Sequence, residues 1–175
     1  MNKLARTAPG AALALAVALV AAGPAAAAQP SRTVYPPPPP VRHFPAGSGC
    51  DFDVTAYTMP GARATEFDFS NGTVAFETHS MHRRIVHDAT GAVYEESIES
   101  REVDRFDGNL IRGTINGQFI WQFYPGDVGP DGVVLDHILA LDIVGRATYV
   151  VDATTFATLA ITVVGRSTDI CAAIS

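Results

Sequence analysis

The chain has 175 residues, of which 12 are basic and 18 acidic, so its net charge is −6. Charged residues make up only 17% of the composition, and there are two cysteines. An acidic balance of this kind argues against nucleic acid and anionic membrane as partners, because both require clustered positive charge.

The first 28 residues have the order of an export signal. Lys3 and Arg6 precede an apolar run over residues 11–22, and Ala28 closes a small-residue pattern typical of signal-peptidase sites. We therefore predict a signal peptide over 1–28, cleavage after Ala28, a secreted protein, and no membrane span in the mature form. Removing Lys3 and Arg6 leaves ten arginines against eighteen acidic residues, a net charge of −8.

Residues 29–49 contain five consecutive prolines, Pro36 to Pro40, with few apolar residues around them. Such a stretch favours polyproline II and has no core to bury. We predict a disordered, Pro-rich spacer that precedes a single domain over residues 50–175. A ligand for a proline-recognising module is the alternative function of this segment.

Cys50 and Cys171 lie at the two ends of the predicted domain. In an exported protein this arrangement indicates a disulfide, which would stabilise the fold by roughly 4–5 kcal/mol in the chain-entropy model. A redox pair or a metal site is the alternative, but the sequence has neither a CxxC motif nor a ligand cluster. No metal and no cofactor is predicted.

The domain is rich in β-branched and aromatic residues and has no helical period. Turn signals, among them Asn71-Gly72 and Asn116-Gly117, divide it into about eight strands. Short connections predict one antiparallel meander, closed or nearly closed into a barrel by the disulfide, with a β-sandwich as the alternative. Gly145 and Gly165 lie inside predicted strands and indicate bulges or bends. The predicted spans are 50–58, 65–70, 73–78, 82–88, 92–105, 109–115, 118–124, 134–151 and 156–168.

A hairpin at Asn116-Gly117 would place Arg112 opposite Trp121. The guanidinium would then be the one cation on an apolar wall and would bind the carboxylate of a small amphipathic ligand. The alternative is an exposed arginine stacked on tryptophan. The residues of this speculative ligand pocket are Leu110, Arg112, Phe119, Trp121 and Phe123.

Three further groups of side chains invite a functional interpretation. A hairpin at Asn71-Gly72 would place Glu66 opposite Glu77, as an acid/base pair, a divalent-cation site or a solvated face. Strand alternation separates His79, His82 and His87 and argues against a metal site formed by these three histidines. The acidic residues between 95 and 107 are predicted to form a solvated edge strand.

Three short segments resemble a group of uncharacterised secreted proteins of actinobacteria. They are CDFDV over 50–54, FYPGD over 123–127 and TDICA over 168–172. The resemblance implies an all-β exported domain with a terminal disulfide, and no activity. In outline the meander also resembles lipocalin-type and allene-oxide-cyclase-like barrels, which is an analogy of fold and carries no function.

No catalytic motif is present in the sequence, so no catalytic residue is predicted. The preferred hypothesis is a non-enzymatic module that binds a small apolar or amphipathic ligand. The alternatives are a cell-surface structural or interaction protein with an unknown protein partner, and an enzyme of the cyclase or isomerase type. A roomy apolar interior would favour the first or the third, and a filled interior the second.

Overall fold

The computed structural model describes residues 29–175, and the predicted signal peptide with its cleavage after Ala28 lies outside them. Nine strands form one antiparallel sheet, and a five-residue helix follows the last strand. Within residues 29–175, no helix has the length and apolar character needed to cross a membrane. The elements are β1 Ser31–Tyr35, β2 Val41–Phe44, β3 Val54–Thr58, β4 Arg63–Asp68, β5 Thr73–His87, β6 Val93–Asp107, β7 Leu110–Phe123, β8 Leu139–Asp152, β9 Thr158–Asp169 and α1 Ile170–Ile174.

The strand order is β1-β4-β5-β6-β7-β8-β9. The second half of β5 pairs with β3 instead of β4, and β3 in turn pairs with β2. In the described part of the chain β9 pairs with β8 alone, so the sheet is open. The all-β, antiparallel prediction is confirmed, and the prediction of a closed or nearly closed barrel is wrong. The alternative of a sheet or sandwich agrees with the structure.

A line of glycines across three strands marks positions where neighbouring backbones approach closely. Gly117, Gly145 and Gly165 lie in register on β7, β8 and β9, and each has a positive φ. A Cβ at Gly145 would lie 2.2 Å from the carbonyl oxygen of Val164. Glycine is therefore required where these backbones approach each other. The strand register is unbroken at Gly145 and Gly165, so neither is the site of a bulge, and the alternative of a bend stays a prediction.

The predicted hairpin at Asn116-Gly117 is wrong. Residues 110–123 form the single strand β7, and Gly117 lies inside it, opposite Ser100 and Gly145. An Asn-Gly pair suits a tight turn as well as a position inside a strand where glycine has a positive φ. Both structures depend on the conformational freedom of glycine.

The predicted turn at Asn71-Gly72 is present, but its loop is longer than two residues. The Gly72 N–H donates to the Phe69 carbonyl at 3.0 Å, and the Phe69 N–H donates to the Thr73 carbonyl at 2.9 Å. A three-residue loop with glycine at positive φ shifts the register by one position. Glu66 therefore faces Phe76, and the predicted Glu66–Glu77 pair is wrong.

Strands β1 and β2 lie in the segment predicted to be a disordered spacer. β1 pairs with β4 over its whole length, and β2 pairs with β3. Their side chains are exposed, except for the half-buried Phe44. The structure differs from the prediction here because an edge strand is held by main-chain hydrogen bonds to its neighbour, which composition does not reveal.

Two apolar cores lie on the sheet. The first joins β7, β8 and β9, and its fully buried members include Phe119, Phe123 and Ile143. The second joins β3, β5, β8 and α1 around the disulfide. The predicted Cys50–Cys171 bond is present, with 5.6 Å between the Cα atoms, and links the segment before β3 to α1.

Candidate functional site

Three of the five predicted pocket side chains, those of Phe119, Trp121 and Phe123, lie in or against the first core, and Leu110 and Arg112 are not part of that core. Trp121 lies opposite Leu141 on β8, and its ring packs against that of Tyr149 at an interplanar angle of 49°, with 4.5 Å between centroids. Phe119 and Phe123 are fully buried in the first core. The predicted pairing of Arg112 with Trp121 is wrong, because both lie on β7 and the turn between them does not exist.

Arg112 instead lies on an exposed face of the sheet, opposite Arg105 on β6. Its Nε atom is 3.2 Å from the Asp107 carboxylate, which is itself exposed. Like charges directly opposite each other on a sheet disfavour the pairing by roughly 0.2–1 kcal/mol. Arg105 and Arg112 thus bring two positive charges to one part of a chain of negative net charge, and Asp107 offsets that of Arg112.

An open groove of about 540 Å³ lies on this face. Leu110, the remaining residue of the predicted pocket, is half-buried and is not among the groove residues. Two cross-strand rows from β6 to β9 form its floor, and they mix arginine, aliphatic and threonine side chains. The rows are Arg105, Arg112, Val150 and Ala160, and Val103, Thr114, Thr148 and Thr162.

The second core contains a cavity of about 70 Å³, with Arg83 as the one charged residue of its lining. Pockets for small molecules usually enclose about 300–1,000 Å³. This cavity is several times too small for such a ligand. A lipocalin-like ligand chamber is therefore not what these residues form.

Two acidic side chains of β6, those of Glu102 and Asp104, contact Tyr149 of the first core. The Tyr149 hydroxyl contacts a carboxylate oxygen of Glu102 and lies 2.5 Å from one of Asp104. Gly113 lies between Asp104 and Tyr149 on the intervening strand, and a Cβ there would lie 2.1 Å from the Tyr149 ring. The prediction of a solvated edge strand is wrong, because β6 is an interior strand.

Burial raises the pKa of both carboxyl groups above its ordinary value. The proximity of Asp104 raises the pKa of Glu102 further, while the Tyr149 hydrogen bonds oppose both shifts. Burial and the two carboxylates also raise the pKa of Tyr149. The available sequence signal was the spacing of Glu102 and Asp104, which puts both on one side of a strand, but it does not say which side is buried.

A second buried polar cluster lies where β6 and β7 separate. The Arg83 guanidinium donates to Glu96, and the Asp142 carboxylate accepts from the Tyr94 hydroxyl at 2.8 Å and from the Gln118 amide at 3.1 Å. Burial raises the pKa of Glu96, and Arg83 opposes this shift. Burial together with Asp142 raises the pKa of Tyr94 to about 12.

The three histidines lie in separate environments. His79 is 2.6 Å from Glu99 and 3.7 Å from Glu77, His82 is 3.0 Å from the Ser97 hydroxyl, and His87 stacks on Phe52. In residues 29–175 no three side chains of metal-ligating type form a group that could hold an ion.

No protein-family model, curated protein or solved structure matches the chain. The resemblance to secreted actinobacterial proteins therefore stays a prediction. Function has to be argued from the groove and the two polar clusters.

Proposed function

We propose that the protein is an exported, non-enzymatic binding module that takes a small amphipathic anion in the groove over Arg105 and Arg112. The observation that carries the proposal is the pair of exposed guanidinium groups directly opposite each other, beside the aliphatic Val150 and Ala160. A guanidinium presents a planar fork of donors to a carboxylate. A carboxylate between the arginines would relieve their repulsion, and an aliphatic tail would cover Val150 and Ala160.

The proposed site has the same cation, Arg112, and the same ligand class as the hypothesis from the sequence. The apolar residues beside the cation are different. The aromatic side chains of β7 belong to the core, and the aliphatic residues of the groove take their place. A cyclase or isomerase would need an enclosed pocket larger than the 70 Å³ cavity of the second core, and that alternative stays a prediction. A role as a cell-surface interaction protein stays a prediction.

Decanoate and decanol are suitable probes, because they differ in the anionic group and share an aliphatic tail. We expect decanoate to bind at least tenfold more tightly than decanol in isothermal titration calorimetry. The double variant Arg105→Gln/Arg112→Gln should lose about tenfold in decanoate affinity, since a charge-assisted hydrogen bond contributes roughly 1.5–3 kcal/mol and tenfold corresponds to about 1.4 kcal/mol.

The matched control is Arg42→Gln/Arg63→Gln, which removes the same charge from exposed positions on β2 and β4. This variant should bind decanoate as the parent protein does. If the unmodified protein does not bind decanoate, the proposed function is wrong. Equal losses in the two double variants would assign binding to net charge and not to the groove.

A further inference from the structure

A second site lies on the other half of the sheet, beside the point where the β6–β7 ladder ends at Glu99 and Gln118. A cleft of about 350 Å³ is found there. Its lining extends from the exposed Met59 and Glu95 to the buried Glu96. The cleft thus connects solvent to a polar group in the interior.

One oxygen of Glu96 is left without a hydrogen bond. The Glu96 side chain has 0% exposure, and its Oε1 atom accepts from Arg83. Its Oε2 atom has no partner within residues 29–175. A buried oxygen left in this way costs roughly 1–3 kcal/mol, and more when it is charged.

The charges around Glu96 do not balance. Asp142 is the second buried carboxylate of the cluster, and its donors, Tyr94 and Gln118, are neutral. Arg83 is therefore one cation against two carboxylates. Arg84 and Glu95 face each other on the neighbouring strands and offset one another.

We propose that the Glu96 Oε2 atom anchors a binding site for a small aliphatic primary amine, bound as its ammonium ion. An ammonium group supplies both the missing hydrogen-bond donor and the missing positive charge. Lys3 is the only lysine of the chain and lies outside the described residues, so residues 29–175 hold no ammonium side chain that could fill the site. The side chain of Met59 offers an apolar contact to a short alkyl group at the entrance.

Three probes separate the features of this ligand. Butylammonium has charge, donors and an alkyl chain, tetramethylammonium has charge without N–H donors, and n-butanol has a donor without charge. Each is titrated into the unmodified protein at pH 7 and followed by amide chemical shifts in NMR spectra. We expect saturable shifts around Glu96 and Gln118 with butylammonium, and at least tenfold weaker binding of the other two.

Glu96→Gln should weaken butylammonium binding at least tenfold, because it removes the charge and keeps the shape. Asp107→Asn is the control, because it removes one exposed carboxylate at the far end of the same strand, outside the cleft, and it should bind butylammonium as the unmodified protein does. Absence of butylammonium binding, or equal binding of all three probes, would overturn the proposal. Because that comparison uses the unmodified protein, it holds even if Glu96→Gln does not fold.

Discussion

Tyr149 has one hydroxyl proton but contacts two carboxyl groups, those of Glu102 and Asp104. A phenol donates to one acceptor at a time, so the second contact is a hydrogen bond only when one of the carboxyl groups is protonated. Burial raises the pKa of both carboxyl groups, which favours this extra proton. The geometry and the shifts therefore both indicate that the folded protein retains a proton which the unfolded chain releases.

We expect the free energy of unfolding to fall as the pH rises from about 4 to neutrality. The stabilisation from groups with a raised folded-state pKa is fully present below their unfolded values, near 4, and is lost as the pH passes the folded-state values. Each pKa unit corresponds to about 1.4 kcal/mol. Urea denaturation across this range measures the slope, and Asp104→Asn should make it shallower because one of the two carboxyl groups no longer titrates.

Glu95→Gln serves as the control, because it removes an exposed carboxyl group from the same strand. It should leave the slope unchanged. Exposed carboxylates with a lowered pKa, such as Asp136 and Glu99, act in the opposite direction and are screened by solvent. The comparison between Asp104→Asn and the unmodified protein cancels them, and an unchanged slope in that variant would contradict the shared proton.

At the scale of the strands, the glycine line over Gly117, Gly145 and Gly165 allows neighbouring backbones to approach closely. We expect Gly145→Ala to cost about 3 kcal/mol or more. The methyl group would meet the Val164 carbonyl oxygen at 2.2 Å, and the residue has φ +147, which side chains rarely tolerate. Thermal and urea unfolding measure the loss.

Gly49→Ala is the matched control for this substitution. A Cβ at Gly49 would be 3.7 Å from the nearest side-chain atom, which is ordinary contact. Its stability should change by less than about 1 kcal/mol. A loss of the same size in both variants would show that the close approach of β8 and β9 is not what requires glycine.

Sequence patterns were sufficient for the all-β class and for the repeated glycines, but not for β1 and β2, for the continuity of β5 and β7, or for the strand pairing. The Val-Gly-Arg segments at 144–146 and 164–166 are recognisable because the strain of a close backbone approach requires glycine in each strand. Asn116-Gly117 was misleading, because the same freedom of glycine serves a turn. The burial of Glu102 and Asp104 depends on which strands flank β6, and composition carries no record of that.

At the scale of the whole molecule, strand pairing within residues 29–175 does not join the two edges of the open sheet to each other. Within the part of the chain described, β9 has β8 as its only partner strand, while β2 and β3 lie beyond β5. The second core joins β3 and β8, and Ile170 and Ile174 of α1 pack there beside Cys50. It was predictable that the disulfide links the two ends of the domain, since this follows from the number and spacing of the cysteines. The role of α1 was not.

We expect loss of the Cys50–Cys171 bond to lower the free energy of unfolding by about 4–5 kcal/mol, because it frees a loop of 121 residues in the unfolded chain. Small domains have about 5–15 kcal/mol in total, so the reduced protein should be marginally stable. Urea denaturation of the oxidised protein, the reduced protein and Cys50→Ala/Cys171→Ala measures the difference. The chain has no other cysteine, so reduction alters this bond alone. Equal midpoints for oxidised and reduced protein would mean that the second core joins the two sides of the sheet without it.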